Sequence, residues 1–131
     1  MKKILNEKAI SLIDGQNFGN IATIMNDGSP QVTPVWINRN GDNILVNTAE
    51  GRIKQKNILK DQRVAISIFD QKNPYSMVSI KGRVISQSFL GANEHIDSLA
   101  KKYIGKDKYP WGQPNEKRII LEIQPEQIFS M

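Results

Sequence analysis

Phe18-Gly19-Asn20-Ile21-Ala22-Thr23-Ile24-Met25-Asn26-Asp27-Gly28-Ser29-Pro30-Gln31-Val32-Thr33-Pro34-Val35-Trp36-Ile37 sets two β-rich runs on either side of a four-residue turn. Phe18 to Met25 reads as a strand, Asn26 to Ser29 as a tight turn carrying the favoured Asp-Gly pair, and Gln31 to Ile37 as the antiparallel partner. Working outward, a second glycine turn at Asn38-Arg39-Asn40-Gly41-Asp42 leads into Asn43 to Thr48, which gives a three-stranded meander. Ile4, Leu5, Ala9, Ile10, Leu12 and Ile13 recur at helical spacing and stop before Gly15, predicting a helix over residues 4 to 14.

Beyond the meander a short helix is expected at about 51 to 60. Arg63 to Phe69 and Ser76 to Ser86 then read as strands separated by the loop Asp70 to Pro74. Ala92, Ile96, Leu99, Ala100 and Tyr103 make a second helical stripe, and Lys117 to Ile123 supplies a last strand. Ile21-Ala22-Ile24-Met25 and Ile44-Leu45-Val46 are apolar on both faces, so helices or another subunit must cover the outside of the sheet. The expectation is a mainly β fold, a small six-stranded antiparallel barrel with flanking helices, as one domain over residues 1–131.

Composition narrows the chemistry. The chain has 131 residues, no cysteine and one histidine, which leaves no thiolate nucleophile or disulfide and makes a histidine metal site or triad a poor fit. Any difficult chemistry must come from something bound. Eighteen cations against thirteen anions give a net charge of +5, a moderate bias toward anionic partners. There is no long apolar run to cross a membrane, and Met1-Lys2-Lys3-Ile4-Leu5 passes into Asn6, Glu7 and Lys8 instead of a leader's apolar stretch. A cytoplasmic location is expected.

Asn47-Thr48-Ala49-Glu50-Gly51-Arg52-Ile53-Lys54 ends an apolar strand, turns at glycine and opens a helix with cations where the macrodipole is already positive. Two readings stand: an anion completes the site, received by helix N–H groups, the Thr48 hydroxyl and Arg52, or the helix start is merely basic and solvated. Pro34 removes a ladder donor in mid-strand. That frees backbone groups for the polar edge of a flat ring beside Val35 and Trp36, or it marks a protected edge strand. Trp111, in the loop Tyr109-Pro110-Trp111-Gly112, is either a packing plug or a stacking surface. His95 reads as a helix surface or boundary residue with no catalytic role, and no phosphate loop, dinucleotide fingerprint or nucleophile elbow is present.

Together, Ala22-Thr23-Ile24, the run Asp27 to Trp36 and the run Asn47 to Asn57 resemble the split-barrel family of pyridoxamine 5′-phosphate oxidase-like proteins. Asn73-Pro74-Tyr75, Gly82-Arg83-Val84 and Lys102 to Trp111 resemble its branch of coenzyme F420-dependent enzymes. The resemblance implies a homodimer with cofactor sites at the interface. It implies that Thr48, Arg52 and Lys54, with Asn47 and Ala49 beside them, hold the cofactor phosphate, and that Val32, Thr33, Pro34, Val35 and Trp36 lie along the ring. Tyr75, Ser76 and Met77 would approach the ring from its other side, and Trp111 would close the pocket, either from the same chain or from the partner subunit. Lys56, Lys60, Lys106 and Lys108 would meet an oligoglutamate tail.

The substrate-binding Arg/His pattern of the vitamin B6 oxidases themselves is absent. The expected activity is therefore hydride transfer from reduced F420, an 8-hydroxy-5-deazaflavin, to a conjugated small-molecule acceptor, with no metal. FMN is the alternative cofactor, and an FMN-binding reductase or a non-catalytic cofactor binder the alternative functions. Nucleic acid and membrane partners are not expected, because the aromatics are few and the cations flank loops instead of strand faces.

Overall fold

The computed structural model describes residues 4–131; Met1 to Lys3, part of the start read above as unlike a leader, lie outside the described residues. Ten elements follow in order: α1 (Glu7–Asp14), β1 (Gly19–Ile24), β2 (Pro30–Val35), β3 (Ile37–Asn40), β4 (Asn43–Ala49), α2 (Ile53–Lys60), β5 (Arg63–Asp70), β6 (Asn73–Ser88), α3 (Ala92–Ile104) and β7 (Arg118–Ser130). All strand pairs are antiparallel and form one sheet in the order β2-β1-β5-β6-β7-β4-β3. The ends of that order, β2 and β3, are separated in sequence only by Trp36, so the sheet must curl until its two edges meet there. This is a mainly β split barrel.

It has seven strands where six are read from the sequence. Gln31 to Ile37 is not one strand: Pro30 to Val35 pairs with β1, whereas Ile37 to Asn40 pairs with β4. Consequently the expected meander is split, and its middle strand serves both edges. The first turn matches its chemistry: Gly28 has φ 86°, and Asp27 Oδ1 accepts from the Ser29 amide at 3.0 Å and hydroxyl at 2.6 Å. Pro34 pairs with Asn20 on the edge strand β2, which needs no donor on its open side. Helix α1 starts at Glu7, later than expected, because Asn6 caps it by accepting from the Ala9 amide at 2.9 Å. The loop at Asp70 to Pro74 shrinks to a two-residue turn between β5 and β6.

Isoleucine and valine dominate the barrel interior, where β-branched side chains suit pleated strands: Ile21, Ile37, Ile44, Val46, Ile66, Ile80, Leu121 and Ile123 are buried, with Leu5, Ala9, Leu12 and Ile13 of α1 packed among them. Helix α3 packs against β7 and β4, so the second apolar face of β4 is covered by a helix of the same chain. Its buried face comprises Ala92, Ile96, Leu99 and Ala100. Among the described residues no helix is long and apolar enough to cross a membrane.

Candidate functional site

The switch from β2 to β3 is pinned by the last turn of α3. Tyr103 Oη accepts from the Ile37 amide at 3.1 Å and donates to the Asn17 carbonyl at 2.7 Å, while Lys102 Nζ donates to the carbonyls of Ile37 and Ile13. The Tyr103 ring lies between Phe18 and Trp36, with centroids at 5.5 and 5.4 Å and near-parallel planes. The strand break therefore does more than close the barrel. It fixes one face of the Trp36 indole and leaves the rest of it beside a cavity.

That cavity measures about 590 Å³ and is lined by Phe18, Pro34, Val35, Trp36, Asn47, Arg52, Lys54, Ile96, Tyr109, Trp111 and Arg118. Its aromatic end is continuous: Trp111 lies 6.2 Å from Trp36 and 5.8 Å from Tyr109, the latter edge to face. The cavity is also cationic. Glu116 accepts from Arg52 Nη2 at 3.1 Å and from Arg118 Nη1 at 2.8 Å, so one carboxylate is shared by two cations, and Lys54 has no carboxylate partner among the described residues. Burial, then the charges of Arg52 and Arg118, pull the Lys54 ammonium below its ordinary range. An anion entering here would relieve that crowding.

Seven of the expected site residues thus come together: Pro34, Val35, Trp36, Asn47, Arg52, Lys54 and Trp111. Val32, Thr33, Thr48, Ala49, Tyr75, Ser76 and Met77 do not line the cavity. Thr48 is only 1% exposed and alternates with Asn47 onto the face shared by Ile44 and Val46, and its hydroxyl has no hydrogen-bond partner among the described residues. Tyr75 is 78% exposed at the start of β6, with Ser76 and Met77 half-buried beside it. In α2 the first backbone bond runs from the Lys56 amide to the Arg52 carbonyl, which leaves the amides of Ile53 to Gln55 without helical acceptors. Gln55 turns back to accept from the Gly51 amide at 3.0 Å.

Sequence reasoning missed Arg118, Tyr109, Phe18, Ile96 and His95. Arg118 Nε donates to Asn47 Oδ1 at 2.8 Å, and its guanidinium carbon sits 5.2 Å from the centre of the Tyr109 ring. The Asn47 amide donates to the Ala92 carbonyl at 2.8 Å and faces His95 Nδ1 at 3.0 Å, while His95 Nε2 lies 2.8 Å from Asn38 Oδ1. Burial and the nearby Arg118 charge lower the His95 pKa from 6.5 to about 4. As pH falls from about 6.5 to about 4 the unfolded chain takes up a proton that folded His95 resists, so this term loses stability across that window. In urea unfolding, the advantage of the wild type over His95→Asn should therefore be larger at neutral pH than at the window's lower end. Parallel pH profiles for the two proteins would refute it.

A second depression of about 420 Å³ lies against Ala22, Ala65 and Gly82, but no aromatic side chain lines it. Its arginines are paired within the chain, Arg63 with Asp61 and Arg83 with Glu126. Among the described residues no group of acidic, histidine or cysteine side chains is placed to hold a metal.

The strand switch of this split barrel thus opens onto a cavity lined by aromatic and cationic side chains. The profile of the pyridoxamine 5′-phosphate oxidase family matches residues 5–131, and the chain belongs to that family. A solved structure named F420 reductase is 26% identical over 97% of this chain and 100% of its own, with a TM-score of 0.84. General Stress Protein 26 from Bacillus anthracis is 18% identical, covers 95% of this chain and 92% of its own, and has a TM-score of 0.71. HupZ from Group A Streptococcus is 17% identical, with 98% and 94% covered and a TM-score of 0.71. At these identities the last two bear on the fold alone. An oxidoreductase or flavin-binding role is consistent with the family and with the F420 reductase relative.

Proposed function

We propose that this chain is an oxidoreductase that binds reduced coenzyme F420 in the cavity beside Trp36 and passes hydride to a conjugated small-molecule acceptor. The observation that carries the reading is one cavity that combines an aromatic wall at Trp36, Tyr109 and Trp111 with three cations, Arg52, Lys54 and Arg118, which have only the Glu116 carboxylate to offset them. These residues fit a planar ring joined to a phosphate. When bound, the deazaflavin supplies the hydride donor. Lys54 and Arg52 hold the phosphate, the aromatic wall orients the ring and excludes water, and no side-chain nucleophile is needed in a chain without cysteine. Support for the deazaflavin over FMN comes from the F420 reductase relative.

Tyr75, Ser76 and Met77 do not line the cavity of their own chain, so in this reading they join it from a second copy, and a homodimer is part of it. A monomeric mass by light scattering would remove them from it. Titration of the cofactor-free protein with F420 and with FMN, followed by fluorescence, tests the assignment. F420 should bind at micromolar concentration or below, and FMN binding without F420 binding would replace the deazaflavin by the flavin.

A further inference from the structure

Asn47 lines the cavity, yet its own chain occupies it. Arginine can only donate, so the Asn47 atom 2.8 Å from Arg118 Nε must be its carbonyl oxygen. Both amide hydrogens are then committed, one to the Ala92 carbonyl and one toward His95 Nδ1. Nδ1 is therefore the accepting nitrogen, and the proton sits on Nε2, which donates to Asn38 Oδ1. Asn47 has little left to offer a ligand and instead aims its neighbour.

Arg118 is different. It is 7% exposed, with Nε held by Asn47 and Nη1 by Glu116, and Nη2 has no protein acceptor among the described residues while the residue lines the cavity. A guanidinium taken this far out of water, with one nitrogen free and only a shared carboxylate for compensation, is a receptor for an oxyanion. We propose that Arg118 is the buried anion-binding residue of this cavity, for a phosphate or carboxylate group, and that His95, acting through Asn47, fixes the direction its guanidinium faces. The inference rests on the reading of this cavity as the ligand site but not on which ring occupies it.

Inorganic phosphate is the probe. Trp36 and Trp111 are the two tryptophans of the chain and both line the cavity, so intrinsic fluorescence reports binding there. Arg118→Lys keeps the charge and loses the fork, and should weaken phosphate by about tenfold or more. His95→Asn places a side-chain oxygen where Nδ1 accepted and should keep affinity within about threefold. His95→Gln reaches toward Asn38 instead and His95→Leu has no acceptor, so both should lose about tenfold, the size of one hydrogen bond to a charged group. Helix propensity ranks glutamine and leucine above asparagine, so thermal stability should follow the opposite order. A merely structural histidine would give affinities that track stability.

Equal affinity in the wild type and the three histidine variants, or no phosphate binding by the wild type, overturns the proposal. Failure of F420 to bind while this pattern holds would discard the cofactor assignment and leave the receptor. Repeating the phosphate titration by calorimetry with F420 saturating separates the sources. Phosphate excluded by F420 assigns Arg118 to the cofactor's anion, and phosphate still bound assigns it to the acceptor's.

Discussion

Lys54→Ala is expected to weaken F420 binding by one to two orders of magnitude while leaving the cofactor-free protein as stable as the wild type or slightly more so. The ammonium is half-buried, burial lowers its pKa, and Arg52 and Arg118 press on it in the same direction. In the empty cavity it is therefore a cost, and removing it removes like-charge repulsion. With a phosphate present the same group becomes a charge-assisted donor, and such bonds contribute about 1.5–3 kcal/mol each. Paired measurements decide it, affinity by fluorescence titration and stability by urea midpoint. A destabilised protein with unchanged affinity would show that Lys54 serves the fold.

Arg52→Ala should have the smaller effect, a few-fold in affinity. Its side chain is 47% exposed and already donates to Glu116, so water and a carboxylate compete for the guanidinium. The neighbouring Lys56 and Lys60 are exposed, and Lys60 is engaged with Asn26 at 2.9 Å. The basic run that looks uniform in sequence is thus resolved by burial: one of its members is desolvated beside the cavity.

Local chemistry was legible in the chain, and long-range pairing was not. Asp27-Gly28 acts within a few residues, so its signal survives in the sequence, whereas apolar periodicity alone carries α1 back to residue 4, past the Asn6 cap that starts it at Glu7. Pro34 marks its strand as interrupted or edge-like, but the break at Trp36 leaves no local signal of its own, because the apolar run from Val35 to Ile37 is continuous and only its pairing partners differ. In the sequence nothing local to Arg118 marks it off from the other cations of the chain. Its burial depends on Asn47, 71 residues away, and on a loop that brings Tyr109 over it. His95 stands off the apolar stripe and reads as a surface or boundary residue, yet it is half-buried, because its partners Asn38 and Asn47 lie on two strands that periodicity alone cannot bring to it. Thr48 shows the converse: a plausible anion ligand by sequence position stands on the core side of β4.

Gly82→Ala should destabilise the fold by about 3 kcal/mol or more, beyond the usual range for one added methyl, because backbone and not a flexible side chain stands in the way. A Cβ there would lie 3.1 Å from the Gln124 carbonyl carbon and 3.2 Å from Pro125 Cα, and closer still to the Gln124 carbonyl oxygen. Pairing passes from Lys81 with Gln127 to Gly82 with Pro125, so Glu126 is the extra residue of a bulge. That bulge reverses the alternation of β7: Ile119, Leu121 and Ile123 face the core before it, and Ile128 packs on the core after it. Without the extra residue every side chain beyond Pro125 would change face. The close approach at Gly82 is the geometric condition for the bulge, which is why the sequence has glycine in a central strand between β5 and β7. Gly28→Ala is the informative comparison. Gly28 has φ 86° and open space around its Cα, so it should lose only about 1–2 kcal/mol from the left-handed backbone. Conformational preference alone would rank Gly28 as the more sensitive position, and packing ranks Gly82. If thermal unfolding shows Gly28→Ala to be the more damaging change, the bulge does not set the register of β7.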